Sequence, residues 1–294
     1  MRFLKHNDIV GIAASARKIN IEELQFAIQT LENWGLTVKL AKNIGNAEHQ
    51  FAGTDAERKA GLQQLLDDKS VKAIFMARGG YGTVRIIDAL DFSKFKQHPK
   101  WIIGFSDITV LHAHLYNLKV KSIHGTMPLL FNQSEVATEA LHQLLFGKEL
   151  KYTFPAHSLN RKGSAEGTLI GGNLSVLYSL SASKSEMNFD NKILFLEDLD
   201  EYLYHIDRMM MQLKRANKLK KLKGLIVGGF TEMKDNTTLF GKTAEEIIYN
   251  AVKEYRYPVC FNFPAGHIKD NMPFIHGAKI FLSIKNNMVS MQYA

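Results

Sequence analysis

Along the first half of the chain, short apolar runs alternate with longer stretches whose apolar positions recur every three or four residues. "DIVGIAAS" (8–15), "LTVKLAK" (36–42), "VKAIFMAR" (71–78), "KWIIGF" (100–105) and "KVKSIHG" (119–125) are of strand length. Most of them lack the polar alternation of a half-exposed strand, which predicts burial on both faces. Between them, "NIEELQFAIQTLENWG" (20–35), "TDAERKAGLQQLLDD" (54–68), "TVRIIDALD" (83–91), "DITVLHAHLYNL" (107–118) and "EVATEALHQLLFG" (135–147) have helical spacing. Asn20 with Glu23, and Thr54 with Glu57, have the spacing of a capping box, and Gly35 stops the first helix. Strand and helix in strict alternation predict a doubly wound, mostly parallel α/β sheet over residues 1–147. In such sheets ligands bind at the carboxyl ends of the strands. "RGGYG" (78–82) and "GFSD" (104–107) both fall at such ends.

The pattern then breaks. Residues 148–166 are polar, with Pro155 and Gly163, and read as an irregular linker between two domains. A smaller α/β domain is expected over 167–294. It opens with "TLIGGNLSVLYSL" and continues with the strand "KILFLE", a helix near 202–216, the strand "GLIVGGF", a helix near 243–255 and the strand "PVCFNF". "KIFLSI" and "MVSMQYA" look like a closing hairpin.

Composition narrows the function classes. Hydrophobic residues make up 46% of 294 and charged residues 22%, ordinary for a globular protein with a sizeable core. The net charge of +8 favours acidic partners. The densest basic run, "LKRANKLKKLKG" (213–224), has no interleaved aromatics and reads as a solvated helix end, so no nucleic acid is expected. No run approaches the ~18 apolar residues of a membrane span. The N-terminus resembles a secretory leader, but Asp8 interrupts it and its apolar part is of strand length. One cysteine, Cys260, rules out an intrachain disulfide and fits a reducing, cytoplasmic setting.

The candidate chemistry starts at Ser106. A serine on a sharp strand-to-helix turn has its hydroxyl lifted clear of the sheet and helical N–H groups behind it. The competing reading is that Ser106 or Asp107 caps the helix. The usual Gly-x-Ser-x-Gly elbow is half matched, because Ile108 stands at its last position. Gly79, Gly80 and Gly82 between a strand and a helix fit an anion- or oxyanion-binding loop, against a plain structural turn; their spacing is not that of a dinucleotide fingerprint. A serine nucleophile needs a base. His112 and His114, two apart on a helix, cannot share a face, so they are no metal pair. His124 ends a strand on the same sheet edge as Ser106. His267 follows an apolar strand in a Gly/Pro-bounded loop. Glu197 ends another apolar strand and is the best orienting acid; Asp198, Asp200 and Glu201 follow it, and Glu201 complements the next helix.

"RGGYG" (78–82), "GFSDITVLH" (104–112), "HGTMP" (124–128), "GGNL" (171–174), "LFLEDLDEYLYHIDRMMMQL" (194–213) and "AGHIKDNMPFIHGAKI" (265–280) occur in register. Together they resemble the murein LD-carboxypeptidase family, serine peptidases that also include the microcin C immunity peptidase. The resemblance implies a Ser106–Glu197–His267 triad in an interdomain cleft. It also implies an oxyanion hole of backbone N–H groups from Asp107 and from Gly79 or Gly80. The implied reaction releases D-alanine from murein tetrapeptides during cytoplasmic cell-wall recycling, by a homodimer without cofactor or metal. Arg78, Arg85, Gly172 and Asn173 are candidates for holding the substrate, a carboxylate among its groups. Two departures stand out. Phe105 replaces a common tyrosine, and "AASA" replaces a Pro-Ser-Gly, which removes support for a ligand contact at Ser15. Other readings are an immunity-type peptidase acting on a peptidyl-nucleotide, a non-catalytic anion-binding α/β protein and, most distant, a nucleotide-dependent oxidoreductase.

Overall fold

The computed structural model describes residues 1–285 and 287–294. The chain forms two units, Met1–Lys148 with Met272–Ile275, and Glu149–Asn271 with His276–Ala294.

In the first unit the apolar runs become β1 (Ile9–Ala13), β2 (Thr37–Leu40), β3 (Val71–Met76), β4 (Trp101–Gly104) and β5 (Ser122–His124). Neighbouring pairs among these five are parallel. The sheet order is β5-β4-β3-β1-β2, extended beyond β5 by the returning strand Phe274–His276. Val10, Ile12, Phe75, Met76, Ile102 and Ile103 are fully buried, as strands covered on both faces require. Strand order reverses between β1 and β3, so the loops after these two strands flank the crevice where doubly wound sheets bind ligands.

The covering helices are α1 (Gln25–Asn33), α2 (Asp55–Asp67), α3 (Thr83–Ile86), α4 (Ser93–Gln97), α5 (Thr109–Asn117) and α6 (Glu135–Leu145). The Thr54–Glu57 capping box forms in full. Of the Asn20–Glu23 pair only half forms: Glu23 accepts the Asn20 N–H at 2.8 Å, and a 3₁₀ turn intervenes before α1. Lys100 finishes α2 from outside. Its ammonium, on a residue 2% exposed, donates to the carbonyls of Leu65, Leu66 and Asp68 at 2.9, 3.0 and 2.6 Å. These carbonyls lie in the helix's last turn and just beyond it, where intrahelical donors run out.

The second unit contains β6 (Tyr152–Pro155), β7 (Gly163–Asn173), α7 (Leu174–Ser179), β8 (Lys192–Leu199), α8 (Leu203–Arg215), β9 (Gly224–Thr231), α9 (Ala244–Val252) and β10 (Val259–Cys260). After the returning strand, β11, it ends with β12 (Lys279–Lys285) and β13 (Met288–Tyr293). Its sheet runs β10-β9-β8-β7-β12-β13-β6, parallel from β10 to β7 and antiparallel from there on. Residues 148–166 are therefore not wholly irregular. β6 pairs with β13 at the edge of the sheet, with Tyr152 buried and Thr153 facing out, and Pro155 sits at its end. The hairpin expected at the C-terminus is the β12–β13 pair. The basic run leaves α8 after Arg215, and Lys214, Lys218 and Lys221 pair with Glu254, Glu186 and Asp190. Among the described residues no helix is long and apolar enough to cross a membrane.

Replacing Lys100 with methionine keeps the aliphatic stem but leaves three carbonyls without this donor. Chemical denaturation is expected to show a loss of about 3 kcal/mol in unfolding free energy. A change below about 0.5 kcal/mol would mean that the ammonium does not hold the end of α2.

Candidate active site

In the first unit, β4 ends at Gly104 and the chain turns through Phe105 into a short 3₁₀ helix, Ser106–Ile108, before α5. Ser106 has φ +64°, a left-handed conformation that costs an L-residue free energy unless its surroundings impose it. Phe105 occupies the cap position, and no side chain caps this helix start. The capping role considered for Ser106 and Asp107 is therefore not what the fold uses.

Gly79, directly after Arg78 at the end of β3, lies against the serine. A Cβ added there would fall 3.1 Å from Ser106 Cβ and 3.3 Å from its Oγ. The loop is tied to the turn by buried groups. The Asp107 carboxylate accepts the Thr83 N–H at 3.0 Å and further bonds from the Thr83 hydroxyl and the Gly82 N–H. Burial pushes the Asp107 carboxyl up, and these bonds together with the nearby Arg58 charge pull against it. Thr83 Oγ1 and Ser15 Oγ are 2.7 Å apart, which joins the loop after β1 to the same cluster. Arg58, fully buried, donates from Nη1 to the carbonyls of Ser15 and Gly82 and from Nε to that of Gly53, and it pairs with Asp55. Ser15 thus serves the scaffold through its carbonyl and hydroxyl.

His112 locks the turn from the helix side. Its Nε2 donates to the Gly104 carbonyl at 2.8 Å, so its Nδ1 accepts from the Ser122 hydroxyl at 2.7 Å. Burial pushes its pKa down to about 4, with the Gly104 carbonyl opposing, so it stays neutral at ordinary pH. His114 packs on Phe92, and His124 stacks on Phe274 at 4.6 Å between centroids. Arg85 is taken up by Asp55, at 2.8 Å from Nη2, and by the Phe51 ring. Arg78 donates from Nη1 to the Lys18 carbonyl at 3.2 Å.

In the second unit, Glu197 sits on β8 where the pairing with β9 slips between Leu196 and Asp198, an irregularity of the kind that re-aims a side chain. It is fully buried. Its Oε2 accepts His267 Nδ1–H at 2.5 Å and the His267 backbone N–H at 3.2 Å. Gly266, φ +105°, allows this approach, since a Cβ there would lie 2.7 Å from Glu197 Cβ. The loop is further fixed by Gly266 N–H to Asn271 Oδ1 at 2.8 Å and Thr231 Oγ1 to the His267 carbonyl at 2.9 Å. Burial would lower the His267 pKa. The charge and hydrogen bond of Glu197, with smaller contributions from Asp198 and Glu232, overcome it, and the net shift is upward. With Nδ1–H held by Glu197, Nε2 carries the lone pair that can accept a proton.

Asn173 lies opposite Glu197 in the β7–β8 register, and Gly172 opposite Leu196. The Asn173 side chain caps α7, accepting the Val176 N–H at 3.1 Å, and donates from Nδ2 to Asp198 Oδ1 at 2.9 Å. Asp198 also accepts N–H groups from Ser175 and Leu199. Burial first and the Glu197 charge second push the Asp198 carboxyl up to about 7, against these three bonds. Cys260 is buried in β10, where burial pushes its thiol up, away from reactivity.

The sequence gives no sign of the role of Arg58 beyond a charge on a face of α2 otherwise meant for burial. It gives none of the part Asp198 plays at the Asn173 corner, or of the anchoring roles of His112 and the Asp107 carboxylate.

Residues 10–125 match the LD-carboxypeptidase N-terminal domain, and residues 166–282 match the LD-carboxypeptidase C-terminal domain. A probable murein peptide carboxypeptidase of Bacillus subtilis (strain 168) is 36% identical over 283 residues, 94% of this chain and 89% of that protein. The murein tetrapeptide carboxypeptidase of Pseudomonas aeruginosa is 27% identical over 91% of each chain. Among solved structures, the muramoyltetrapeptide carboxypeptidase from Oxalobacter formigenes superposes with a TM-score of 0.89 at 28% identity, over 97% of this chain and 98% of that one. The microcin C7 self immunity protein MccF, at 20% identity and a TM-score of 0.89 over 99% of this chain and 98% of that one, shares the fold. With two consecutive domain matches and a relative of this identity along nearly its whole length, the chain belongs to the LD-carboxypeptidase family.

Proposed function

We propose that this protein is a serine LD-carboxypeptidase that hydrolyses the amide before the C-terminal D-alanine of murein tetrapeptides, in cytoplasmic recycling of the cell wall. The observation that carries the reading is the left-handed serine at the strand-to-helix turn, φ +64°, in a chain whose relatives are carboxypeptidases. A residue kept in that conformation without a capping role needs another reason to be there.

In the proposed mechanism, His267 Nε2 takes the proton of Ser106 as Oγ attacks the carbonyl carbon of the scissile amide. Glu197 holds the imidazole in the Nδ1–H tautomer and stabilises the imidazolium. Backbone N–H groups of Asp107 and of Gly79 or Gly80 receive the oxyanion. His267 then protonates the leaving amine of D-alanine, and water, activated by the same histidine, clears the acyl-enzyme. The Asp107 carboxylate is a positioning group in this scheme: through Thr83 and Gly82 it sets the glycine loop relative to Ser106. The basic balance of the chain suits an acidic peptide.

Three outcomes are expected. Mass spectrometry of L-Ala-γ-D-Glu-diaminopimelate-D-Ala incubated with the protein gives tripeptide and D-alanine, and Ser106→Ala abolishes this. No cleavage by the wild type, with hydrolysis of a peptidyl-nucleotide instead, would replace the murein reading by the immunity-type one. The acid limb of kcat/KM has its midpoint above the ordinary histidine value of about 6.5, because the base must be neutral and its pKa is raised. Glu197→Gln removes the charge that raises it, so the midpoint moves down while kcat falls roughly 10³- to 10⁴-fold; an unmoved acid limb would remove His267 from the role of base. Asp107→Asn lowers kcat about 10- to 100-fold with KM little changed. A rise in KM at constant kcat would contradict a positioning role for that carboxylate.

A further inference from the structure

The arginines around the glycine loop fall into two pairs of different character. Arg58 and Arg85 both meet Asp55. Arg17 and Arg78 form no ion pair among the described residues, and burial first, then the Arg17 charge, lowers the Arg78 pKa. Glu23 opposes this weakly, with one carboxylate oxygen bonded to the Asn20 N–H. Two cations held near each other with only this one opposing carboxylate cost free energy, which a bound anion recovers.

Their place in the fold is specific. Arg17 lies in the loop after β1 and Arg78 in the loop after β3, on either side of the point where strand order reverses. The Arg17 backbone is fixed by a bridge to Phe51. Its exposed side chain lies across Gly80, where an added Cβ would fall 2.4 Å from Arg17 Cδ and 2.6 Å from Cγ. Gly80 has φ +112°, so any side chain there is excluded by conformation and by Arg17 together. The preceding residue, Gly79, touches Ser106. Adjacent glycines thus contact the serine and the arginine, a spacing that one or two extended peptide residues span at about 3.5 Å each. Arg78 is anchored through Nη1 to the Lys18 carbonyl, and its Nη2 makes no hydrogen bond among the described residues.

We propose that Arg17 and Arg78 together bind a carboxylate of the peptide substrate and so determine specificity for acidic peptides. Guanidinium groups suit this task because they offer a planar pair of donors to a carboxylate and keep their charge. The inference rests on the carboxypeptidase reading above. That substrate carries carboxylates at its D-alanine terminus, on D-glutamate and on the diaminopimelate side chain, and the experiment separates them.

Steady-state kinetics of wild type, Arg17→Gln, Arg78→Gln and Arg17→Lys are measured on four tetrapeptides: the free acid, the D-alanine amide, the D-glutamate α-amide, and the peptide with lysine in place of diaminopimelate. Thermal melts of each variant check the fold. On the free acid both glutamine variants are expected to raise KM about 10- to 100-fold with kcat changed little, and Arg17→Lys to lie between them and wild type. On one of the other three peptides the wild type is already weakened and the glutamine variants cost nothing further. That peptide identifies the bound carboxylate. Wild-type kinetics from both glutamine variants on the free acid, or the same penalty on all four peptides, overturns the proposal. Failure of the wild type to release D-alanine from the free acid defeats the carboxypeptidase reading and the arginine assignment with it, and so is distinguishable from failure of the arginines alone.

Discussion

The first unit depends on keeping one residue where its backbone would not go unaided. Ser106 at φ +64° is held from both sides by buried polar bonds. His112 fixes the Gly104 carbonyl behind it, and Asp107 ties the next residue to Thr83 and Gly82. Arg58 closes the set by holding the carbonyls of Ser15 and Gly82. Each of these groups is buried, and a buried polar group that lost its partner would cost about 1–3 kcal/mol. The penalties act jointly against relaxation of the turn. Strain at the serine and rigidity of the glycine loop thus have a common source.

The second unit solves a related problem with charge. A buried glutamate is tolerated because His267 offers it two donors, one from the ring and one from the backbone. The next residue, Asp198, is buried as well; two of its three donors, from Asn173 and Ser175, fasten the start of α7, and the third is the Leu199 N–H. Two adjacent carboxyl groups with separate partners divide the work: one sets the imidazole, the other sets the Asn173 corner.

Much of this was legible in the sequence because local signals and tertiary packing agree there. Uninterrupted apolar runs gave the parallel strands, and the Thr54–Glu57 box marked the start of α2 to the residue. Where tertiary pairing overrides local composition, the reading failed. Polar residues 148–166 join a sheet through partners more than a hundred residues away. Asn20 looked like a cap, but the chain enters α1 through a 3₁₀ turn. Candidate site residues were visible as punctuation at strand ends: Ser106, the glycine loop, Glu197 and His267. The residues that hold them were not, because Arg58, His112 and Asp198 act through bonds to distant backbone. Arg85 looked equivalent to Arg78 by sequence, yet Asp55 neutralises it, and Arg17 stands instead beside the glycine loop.

The central claim is that Ser106 is a nucleophile, and covalent labelling tests it most directly. The protein is treated with a fluorophosphonate, which phosphonylates activated serines, and peptides spanning residues 101–119 are sequenced by tandem mass spectrometry. The account predicts one phosphonyl adduct, on Ser106, with peptidase activity lost in proportion to labelling. A protein that is inactivated through another serine, or fully labelled at Ser106 while still active, would contradict it.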